Sequence, residues 1–179
     1  TYDGGSNHTG SVITLVPPAS TPVGYTIDLK GGNVLARWKQ ALTATSEWAL
    51  QFYYDFYERH YYNLGERRDT YDLDFQHRFL AGDAHDIVWG LGYRRSSDKM
   101  DNSFVLSFTP ASRSESVLSA FFQDEIALHK DSVHLIAGSK FEHNDYTGFE
   151  VQPNLRLRWK IDDRHMTWAA VSRAVHTPS

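Results

Sequence analysis

The chain has 179 residues, a formal net charge of −4 and no cysteine. This length allows one domain, the near-balanced charge argues against a nucleic-acid-binding module, and the lack of cysteine excludes disulfides and thiolate metal sites. Hydrophobic residues make up 41% of the chain, but no apolar run approaches the roughly 18 residues that a transmembrane helix needs.

The amino-terminal segment is rich in glycine, serine, threonine and proline, which are residues that favour loops. Three prolines between positions 17 and 22 interrupt any regular pattern there. We therefore predict a loop-rich lead-in over residues 1–30, with one candidate short strand at residues 11–16. The rest of the chain, residues 31–179, is predicted to form one β-sheet segment.

Apolar and polar residues then alternate with a period of two, the pattern of a strand that has one apolar face. This alternation predicts four strands in the first part of the sheet, at residues 31–40, 46–59, 67–80 and 86–95. It leaves two short turns and one loop between them, at residues 41–45, 81–85 and 60–66. In the last of these strands Gly90 and Gly92 share the polar face, which indicates a bend or the close approach of another backbone.

A long connection over residues 96–115 leads to the second part of the sheet. Residues 103–109 alternate within this connection and are a candidate hairpin arm. Four more strands are predicted after it, at residues 116–128, 132–143, 150–160 and 165–173. Their connections are two short links and a glycine-containing loop, at residues 129–131, 161–164 and 144–148.

The lengths of these segments indicate a membrane setting. Alternation over more than about ten residues exceeds a typical soluble strand and fits the roughly 9–11 tilted residues that cross a bilayer. Short turns alternate with longer loops, as in outer-membrane barrels, and all five tryptophans lie near the short turns, where amphipathic rings meet lipid headgroups. The pattern predicts an all-β, antiparallel up-and-down meander of about eight membrane-length strands, part of a transmembrane β-barrel.

Three sequence strings carry a more specific signal: SAFFQDEIAL, GSKFEHNDYTGFEVQPNLRLRW and WAAVSRAVHTPS. Together they resemble the β-barrel domain of TonB-dependent outer-membrane receptors, and the resemblance runs from about Gly31 to Ser179. It implies a protein of the bacterial outer membrane that binds and transports a scarce nutrient, a ferric siderophore or a similar metal chelate. The function would be gated transport without covalent chemistry, so we expect no enzyme.

The resemblance also implies the surroundings of the chain. The family's plug domain and TonB box do not appear in this sequence, so we expect a fragment of such a barrel, with residues 1–30 in an extracellular loop. The partners would be outer-membrane lipid and the protein TonB, which would act through the plug domain. No cofactor or metal ion is expected, because no two histidines have the spacing of a hydrolytic zinc site and no His-x-His occurs.

Arginines and tyrosines near the longer loops form the candidate ligand-binding set at the outer rim. Guanidinium groups bind carboxylate or catecholate oxygens in pairs, and tyrosine offers flat contact area at low entropic cost. The same residue types could instead contact lipopolysaccharide or stay solvated. The candidates are Arg59, Tyr61, Tyr62, Arg68, Arg94, Tyr146 and Arg173.

Two other classes of protein stay open on the residues alone. A soluble ligand-carrying barrel of the lipocalin type also has about eight strands, but it would turn its apolar face inward. A small outer-membrane barrel enzyme would need a catalytic constellation at the rim, for which Ser172 and His143 are the residues to test. Pairs such as Asp72 and Asp74 are expected to belong to a hydrated lumen wall rather than to acid–base chemistry.

Overall fold

The computed structural model describes residues 2–15, 18–61, 63–104, 106–129 and 132–175. Within these ranges the regular elements are nine β-strands, which form one sheet in which each strand lies beside the next one in sequence. The strands are β1 Tyr2–Leu15, β2 Pro18–Thr43, β3 Ser46–Tyr61, β4 Leu64–Ala81, β5 His85–Asp101, β6 Ser112–His129, β7 Val133–Asn144, β8 Gly148–Lys160 and β9 Met166–Ser172. The predicted all-β, up-and-down meander is therefore confirmed.

The described residues contain no helix that is long and apolar enough to cross a membrane.

The lead-in differs from the prediction and raises the strand number from about eight to nine. Residues 1–30 were predicted to be mostly loop, but residues 2–15 and 18–30 contribute to a hairpin, in which β1 pairs antiparallel with β2 from Tyr2↔Gly31 to Leu15↔Pro18. Proline does not prevent this pairing at Pro18, because the first residue of a strand tolerates a missing N–H. The extracellular position of the hairpin stays a prediction.

The loop between β3 and β4 is shorter than predicted. Instead of a loop over residues 60–66, β3 ends at Tyr61 and β4 begins at Leu64. Polar contacts continue close to this turn, where the Tyr57 hydroxyl donates a hydrogen bond to Glu66 Oε2 at 3.2 Å. Where paired strands carry polar residues on both faces, hydropathy does not alternate along the chain. The alternation of apolar and polar residues therefore did not predict these ends of β3 and β4.

The connection between β5 and β6 is also shorter than predicted, and the reason is the same. It occupies residues 102–111 rather than the predicted 96–115, since both strands extend into that range. The hydroxyl oxygens of Ser97 and Ser114 lie 2.9 Å apart across this extension.

The candidate hairpin arm at residues 103–109 is wrong, because the described residues there form no strand. The side chain of Asn102 closes the loop instead. Its Nδ2 atom donates to the carbonyl oxygen of Phe108 at 3.1 Å, and the Phe108 N–H donates to Asn102 Oδ1 at 2.9 Å. Side-chain hydrogen bonds thus replace the ladder that a hairpin would need.

The sheet has two chemically different faces. On β4 the polar face carries Asp72, Asp74, Gln76 and Arg78, and the apolar face carries Tyr71, Leu73, Phe75, His77 and Phe79. The same division continues along the sheet, since Leu135 lies opposite Leu157 while the next pair places Ile136 opposite Arg156. Ile27 is the single buried apolar residue in the described part, and Leu73 is 45% exposed. Neither face is covered by a second layer of the described chain.

Of the two alternatives predicted for Gly90 and Gly92, a bend or the close approach of another backbone, the close backbone approach is confirmed at Gly90, whereas side chains approach Gly92. A methyl group at Gly90 would lie 2.5 Å from the carbonyl oxygen of Phe75 and would clash with the ring of Phe121. A methyl group at Gly92 would lie 2.7 Å from Ser119 Oγ and 3.0 Å from Asp74 Oδ1. The bare backbone of β5 therefore makes room for neighbouring groups on the polar face.

Contacts divide the chain into two compact units. The first unit comprises Thr1–Val34, Tyr53–Tyr71 and Ser96–Ser114, and the second comprises Leu35–Phe52, Asp72–Arg95 and Glu115–Ser179. Each unit contains parts of several strands and its own set of polar contacts, and the candidate residues are distributed over both.

Candidate functional site

Ion pairs cover the polar face of the second unit. Asp72 is nearly buried and accepts a hydrogen bond from Arg94 Nε at 2.6 Å. Lys140 Nζ lies 2.7 Å from Glu142 Oε2. Because each of these four charges has an opposite partner, this part of the polar face is a lattice of paired charges.

The lattice continues towards the short turns. Arg78 Nε donates to Asp86 Oδ1 at 2.8 Å. Glu125 Oε1 lies 3.0 Å from both Arg158 Nη2 and His134 Nδ1, so one carboxylate joins two strands. In the described residues no group of three or more histidine, aspartate or glutamate side chains could hold a metal ion.

In the first unit, Arg59 and Arg68 differ in their partners. The guanidinium of Arg68 is held by Asp98, with Nη2 donating to Oδ2 at 3.1 Å. The guanidinium carbon of Arg59 lies 4.1 Å from the centre of the Tyr61 ring, a cation–π geometry. Its Nε atom is buried and has no hydrogen-bond partner in the described part of the chain. Tyr62, the other candidate near this turn, lies outside the described residues.

In the second unit, Arg94 belongs to the lattice and Arg173 is tied to β8. The N–H of Arg173 donates to the carbonyl oxygen of Pro153 at 3.0 Å, and its guanidinium donates to the Val151 carbonyl oxygen and to Glu150. These contacts satisfy much of its donor capacity within the sheet. Both residues therefore have structural partners already.

Tyr146, the remaining candidate, belongs to a turn that is built by its own motif. Asn144 is 2% exposed, and its Oδ1 atom accepts hydrogen bonds from the N–H groups of Tyr146 at 2.9 Å and Thr147 at 2.8 Å. The Tyr146 hydroxyl donates to Glu115. Gly148 has a φ of 74°, a left-handed conformation that favours glycine. The string HNDYTG thus encodes a tight turn between β7 and β8.

The sequence contains a signal for this turn, but the candidate ligand-binding residues were chosen without it. Asparagine side chains accept hydrogen bonds from the backbone two residues further on, and glycine takes the left-handed position. Asp145 adds a link to β6, since its Oδ2 accepts from the Ser116 N–H at 2.7 Å. The position and hydrogen bonds of Tyr146 are therefore accounted for by the turn itself and do not require a ligand.

The apolar face carries an aromatic band near the short turns, which we call the tryptophan band: Trp38, Trp48, Phe75, His77 and Trp89. Adjacent rings lie 5.0 Å (Trp38–Trp48), 6.1 Å (Trp48–Phe75) and 5.4 Å (Phe75–Trp89) apart. Trp89 Nε1 donates to His77 Nδ1 at 3.1 Å, so His77 Nε2 carries the proton that Ser46 Oγ accepts at 2.9 Å. This polar tie at the end of an apolar face fits the headgroup level of a membrane.

Two residues lie on a face that their residue type does not indicate. Trp168 lies opposite Arg158 in the register, so it shares the face of the arginines and not that of Trp159. His85 Nδ1 lies 2.7 Å from Asp124 Oδ2, although Asp124 lies opposite Ala137 on the apolar face. The alternation pattern assigns charged residues to the polar face, but this ion pair lies on the apolar face.

Comparison with known proteins agrees with this fold. A sequence model of the family described as TonB dependent receptor-like, beta-barrel matches residues 2–179. No curated protein sequence matches the chain. Among solved structures, the siderophore receptor PirA from Pseudomonas aeruginosa has a similar fold, with a TM-score of 0.71 and 13% sequence identity over 99% of this chain.

The match covers 36% of PirA, so the chain spans about a third of the length of that receptor. At 13% identity this likeness shows the fold alone. The family match extends over nearly the whole chain and includes the β1–β2 hairpin as well as the later strands. The chain belongs to the TonB-dependent receptor-like β-barrel family.

Proposed function

We propose that this chain forms part of the wall of an outer-membrane receptor that takes up a scarce nutrient, a ferric siderophore, with energy supplied by TonB. The family match over residues 2–179 carries this proposal. The fold shared with a siderophore receptor supports it. The activity is binding followed by gated passage, and no covalent chemistry is required.

The proposed location is the outer membrane of a bacterium. Lipid would cover the apolar face, with the tryptophan band at the headgroups beside the short turns. The loops 102–111 and 145–147 and the β1–β2 hairpin would lie on the extracellular side. TonB would act through a plug domain, which we expect in the remainder of the full-length receptor.

Arg59 is the rim candidate best suited to contact the cargo. Arg68 and Arg94 each already bind a carboxylate, whereas Arg59 has no carboxylate partner among the described residues. Its stacking on Tyr61 holds the planar guanidinium in a fixed orientation. A siderophore that presents paired carboxylate or catecholate oxygens offers the geometry that such a fork binds.

Uptake of radioactive iron tests the proposal. A strain that lacks the gene and a complemented strain would be given iron bound to a catecholate, a hydroxamate or a carboxylate siderophore. We expect at least one chelate to enter only when the gene is present, and only when TonB is functional. If no chelate depends on the gene, the siderophore assignment is wrong.

The role of Arg59 is tested in the same assay. We expect Arg59→Ala to reduce binding of the transported chelate about tenfold or more, corresponding to the 1.5–3 kcal/mol of a hydrogen bond to a charged group. Arg156→Ala is the control, because Arg156 also has no carboxylate partner in the described residues, but it lies on β8. Equal effects of the two substitutions would show that Arg59 has no specific role in binding the chelate.

A further inference from the structure

Arg95 carries a positive charge on the apolar face of the sheet. Along β5, Trp89 marks this face, because its ring lies 5.4 Å from that of Phe75, and Arg95 follows Trp89 at an even spacing. Arg94 instead belongs to the polar face, where its Nε donates to Asp72 at 2.6 Å. Arg95 is also exposed, so its guanidinium is available to a group outside the described chain.

Arg95 differs from Asp124, a charge on the apolar face of β6, in having no ionic partner. Asp124 Oδ2 lies 2.7 Å from His85 Nδ1, whereas no carboxylate oxygen of the described residues lies within 4 Å of the Arg95 guanidinium. Asp145, which follows β7, is held by Ser116 on β6, whose N–H donates to Asp145 Oδ2 at 2.7 Å. The N–H donors of Arg95 therefore have no acidic acceptor within the described chain.

An apolar surface lies directly beside Arg95. A methyl group at Gly92 would lie 2.7 Å from Ser119 Oγ, so these two residues are neighbours across β5 and β6. In an antiparallel pair the next neighbours are Tyr93 and Leu118, which belong to the apolar face and are 42% and 56% exposed. The cation thus lies one step beyond exposed apolar side chains, on the side away from the short turn that precedes β5.

Strand β7 supplies a second donor at this level of the sheet. His143 lies opposite Leu118 on β6 and opposite Phe149 on β8, and it is exposed. Its imidazole has no hydrogen-bond partner in the described part of the chain. The ring of Phe149, which is 65% exposed, stacks on that of Phe141 with the ring centres 6.3 Å apart. His143 is therefore also bordered by exposed apolar surface.

The separation of the two donors indicates the size of the group that they would bind together. Neighbouring strands are about 4.8 Å apart, so Arg95 on β5 and His143 on β7 are about 10 Å apart across β6. A headgroup of one or two phosphorylated sugar rings spans this distance more readily than the phosphodiester of a common phospholipid. Acyl chains attached to such a headgroup would lie against Tyr93, Leu118 and Phe149.

We propose that Arg95 and His143 bind the phosphorylated sugar headgroup of a glycolipid, the class to which lipid A of lipopolysaccharide belongs. The guanidinium fork of Arg95 binds a phosphate group with two hydrogen bonds, and His143 donates a further hydrogen bond to the headgroup. This site rests on the proposed location in the outer membrane, with this end of β5 in the outer leaflet. It does not depend on the transported nutrient, which would contact the polar face.

Binding of lipid A to the purified full-length receptor in a neutral detergent tests the site. Native mass spectrometry would measure the dissociation constants of two probes, lipid A with both phosphates and the same lipid A after enzymatic removal of the phosphates. Arg95→Gln removes the charge, and Arg95→Lys keeps the charge but not the fork. Arg156→Gln is the matched control, because Arg156 is also exposed and has no carboxylate partner in the described residues, but it lies on the polar face.

We expect the phosphorylated probe to bind at least about tenfold more tightly than the dephosphorylated probe, because hydrogen bonds to charged groups are the stronger ones. Arg95→Gln should abolish this difference without changing the affinity for the dephosphorylated probe. Arg95→Lys should retain part of the difference, because the charge remains. His143→Ala should weaken binding about threefold, as the loss of a neutral hydrogen bond would. Arg156→Gln should change neither affinity.

Four results would overturn the proposal. Equal affinities of the unsubstituted receptor for the two probes would show that the phosphate groups are not recognised. An equal loss in Arg156→Gln would show a general effect of charge. Displacement of the glycolipid by an equal concentration of phosphatidylglycerol would show that any anionic lipid fits, and displacement by millimolar inorganic phosphate would show a site for the free ion. Iron uptake plays no part in this readout, so failure of the proposed transport role gives a different result.

Discussion

The two faces of β4 belong to a single-layered sheet, and their side chains differ in how they are stabilised. Leu73 and Phe75 stand on the apolar face without a covering layer of the described chain, so their favourable solvent is hydrocarbon. Asp72 on the other face is nearly buried and is compensated by Arg94 at 2.6 Å. On the proposed location in a membrane, lipid would stabilise the apolar face, whereas internal pairing stabilises the polar face, so the two faces should respond differently to substitution.

The largest expected difference is between two neighbouring residues. Leu73→Arg should destabilise the full-length protein in lipid vesicles by about 2–4 kcal/mol if Leu73 lies near the midplane of the bilayer. Asp74→Asn, one residue away on the polar face, should cost much less, because a hydrated wall tolerates the loss of a charge. Urea titrations of the vesicle-bound protein measure both. A larger cost at Asp74 would support the inward-apolar soluble barrel.

On the polar face, the expected cost of removing an arginine depends on its partner. Arg94→Met leaves the carboxylate of Asp72 nearly buried and uncompensated, which should cost about 1–3 kcal/mol. Arg156→Met should be close to neutral, since Arg156 has no carboxylate partner in the described part of the chain. The same urea titrations compare the two, and equal costs would mean that pairing does not determine the stability of this face.

On the apolar face, the tryptophan band offers a smaller and more specific test. Trp89→Phe keeps most of the ring but removes the N–H that donates to His77, so we expect a loss of about 1 kcal/mol. Trp159→Phe is the control, because Trp159 is exposed and makes no hydrogen bond through its indole in the described residues. If Trp159→Phe costs as much, burial of the ring and not the hydrogen bond explains the effect.

The turn between β8 and β9 belongs to neither face and should show the smallest effect. The Arg164 N–H and the His165 side chain donate hydrogen bonds to Asp162 and lower the pKa of its carboxyl. A lowered folded-state pKa gives stability that is present above the unfolded value and is lost as the pH falls through the folded value. The full-length protein should therefore become slightly less stable on acidification below about pH 4, and Asp162→Asn should reduce that dependence. An unchanged pH profile in Asp162→Asn would exclude this contribution.

The sequence was sufficient for the strands whose faces differ in hydropathy. β3, β4 and β7 follow the predicted alternation closely, because each places apolar and polar residues on opposite sides. The β1–β2 hairpin and the outer ends of β5 and β6 escaped prediction, because serine, threonine and glycine pair across the sheet without any hydrophobic period.

The candidate site shows a different limit. Residue type selects arginines and tyrosines near loops, but it does not reveal which of them already have partners. Arg68 binds Asp98, and Tyr146 binds Glu115 within a turn that the string HNDYTG builds. Arg59 and Arg68 are alike in type and near the same turn, and only the contacts with Tyr61 and Asp98 distinguish them. The partners come from other strands, so their pairing depends on register.

The central claim is that this sheet lies in a membrane with its apolar face towards lipid. Spin labels attached to single cysteines at successive positions from Tyr71 to Arg78 would test it most directly in the full-length protein reconstituted in vesicles. We expect alternating accessibility, with positions 71, 73, 75 and 77 reached by oxygen from the lipid and positions 72, 74, 76 and 78 reached by a water-soluble nickel chelate. The opposite phase, or no alternation at all, would contradict the claim.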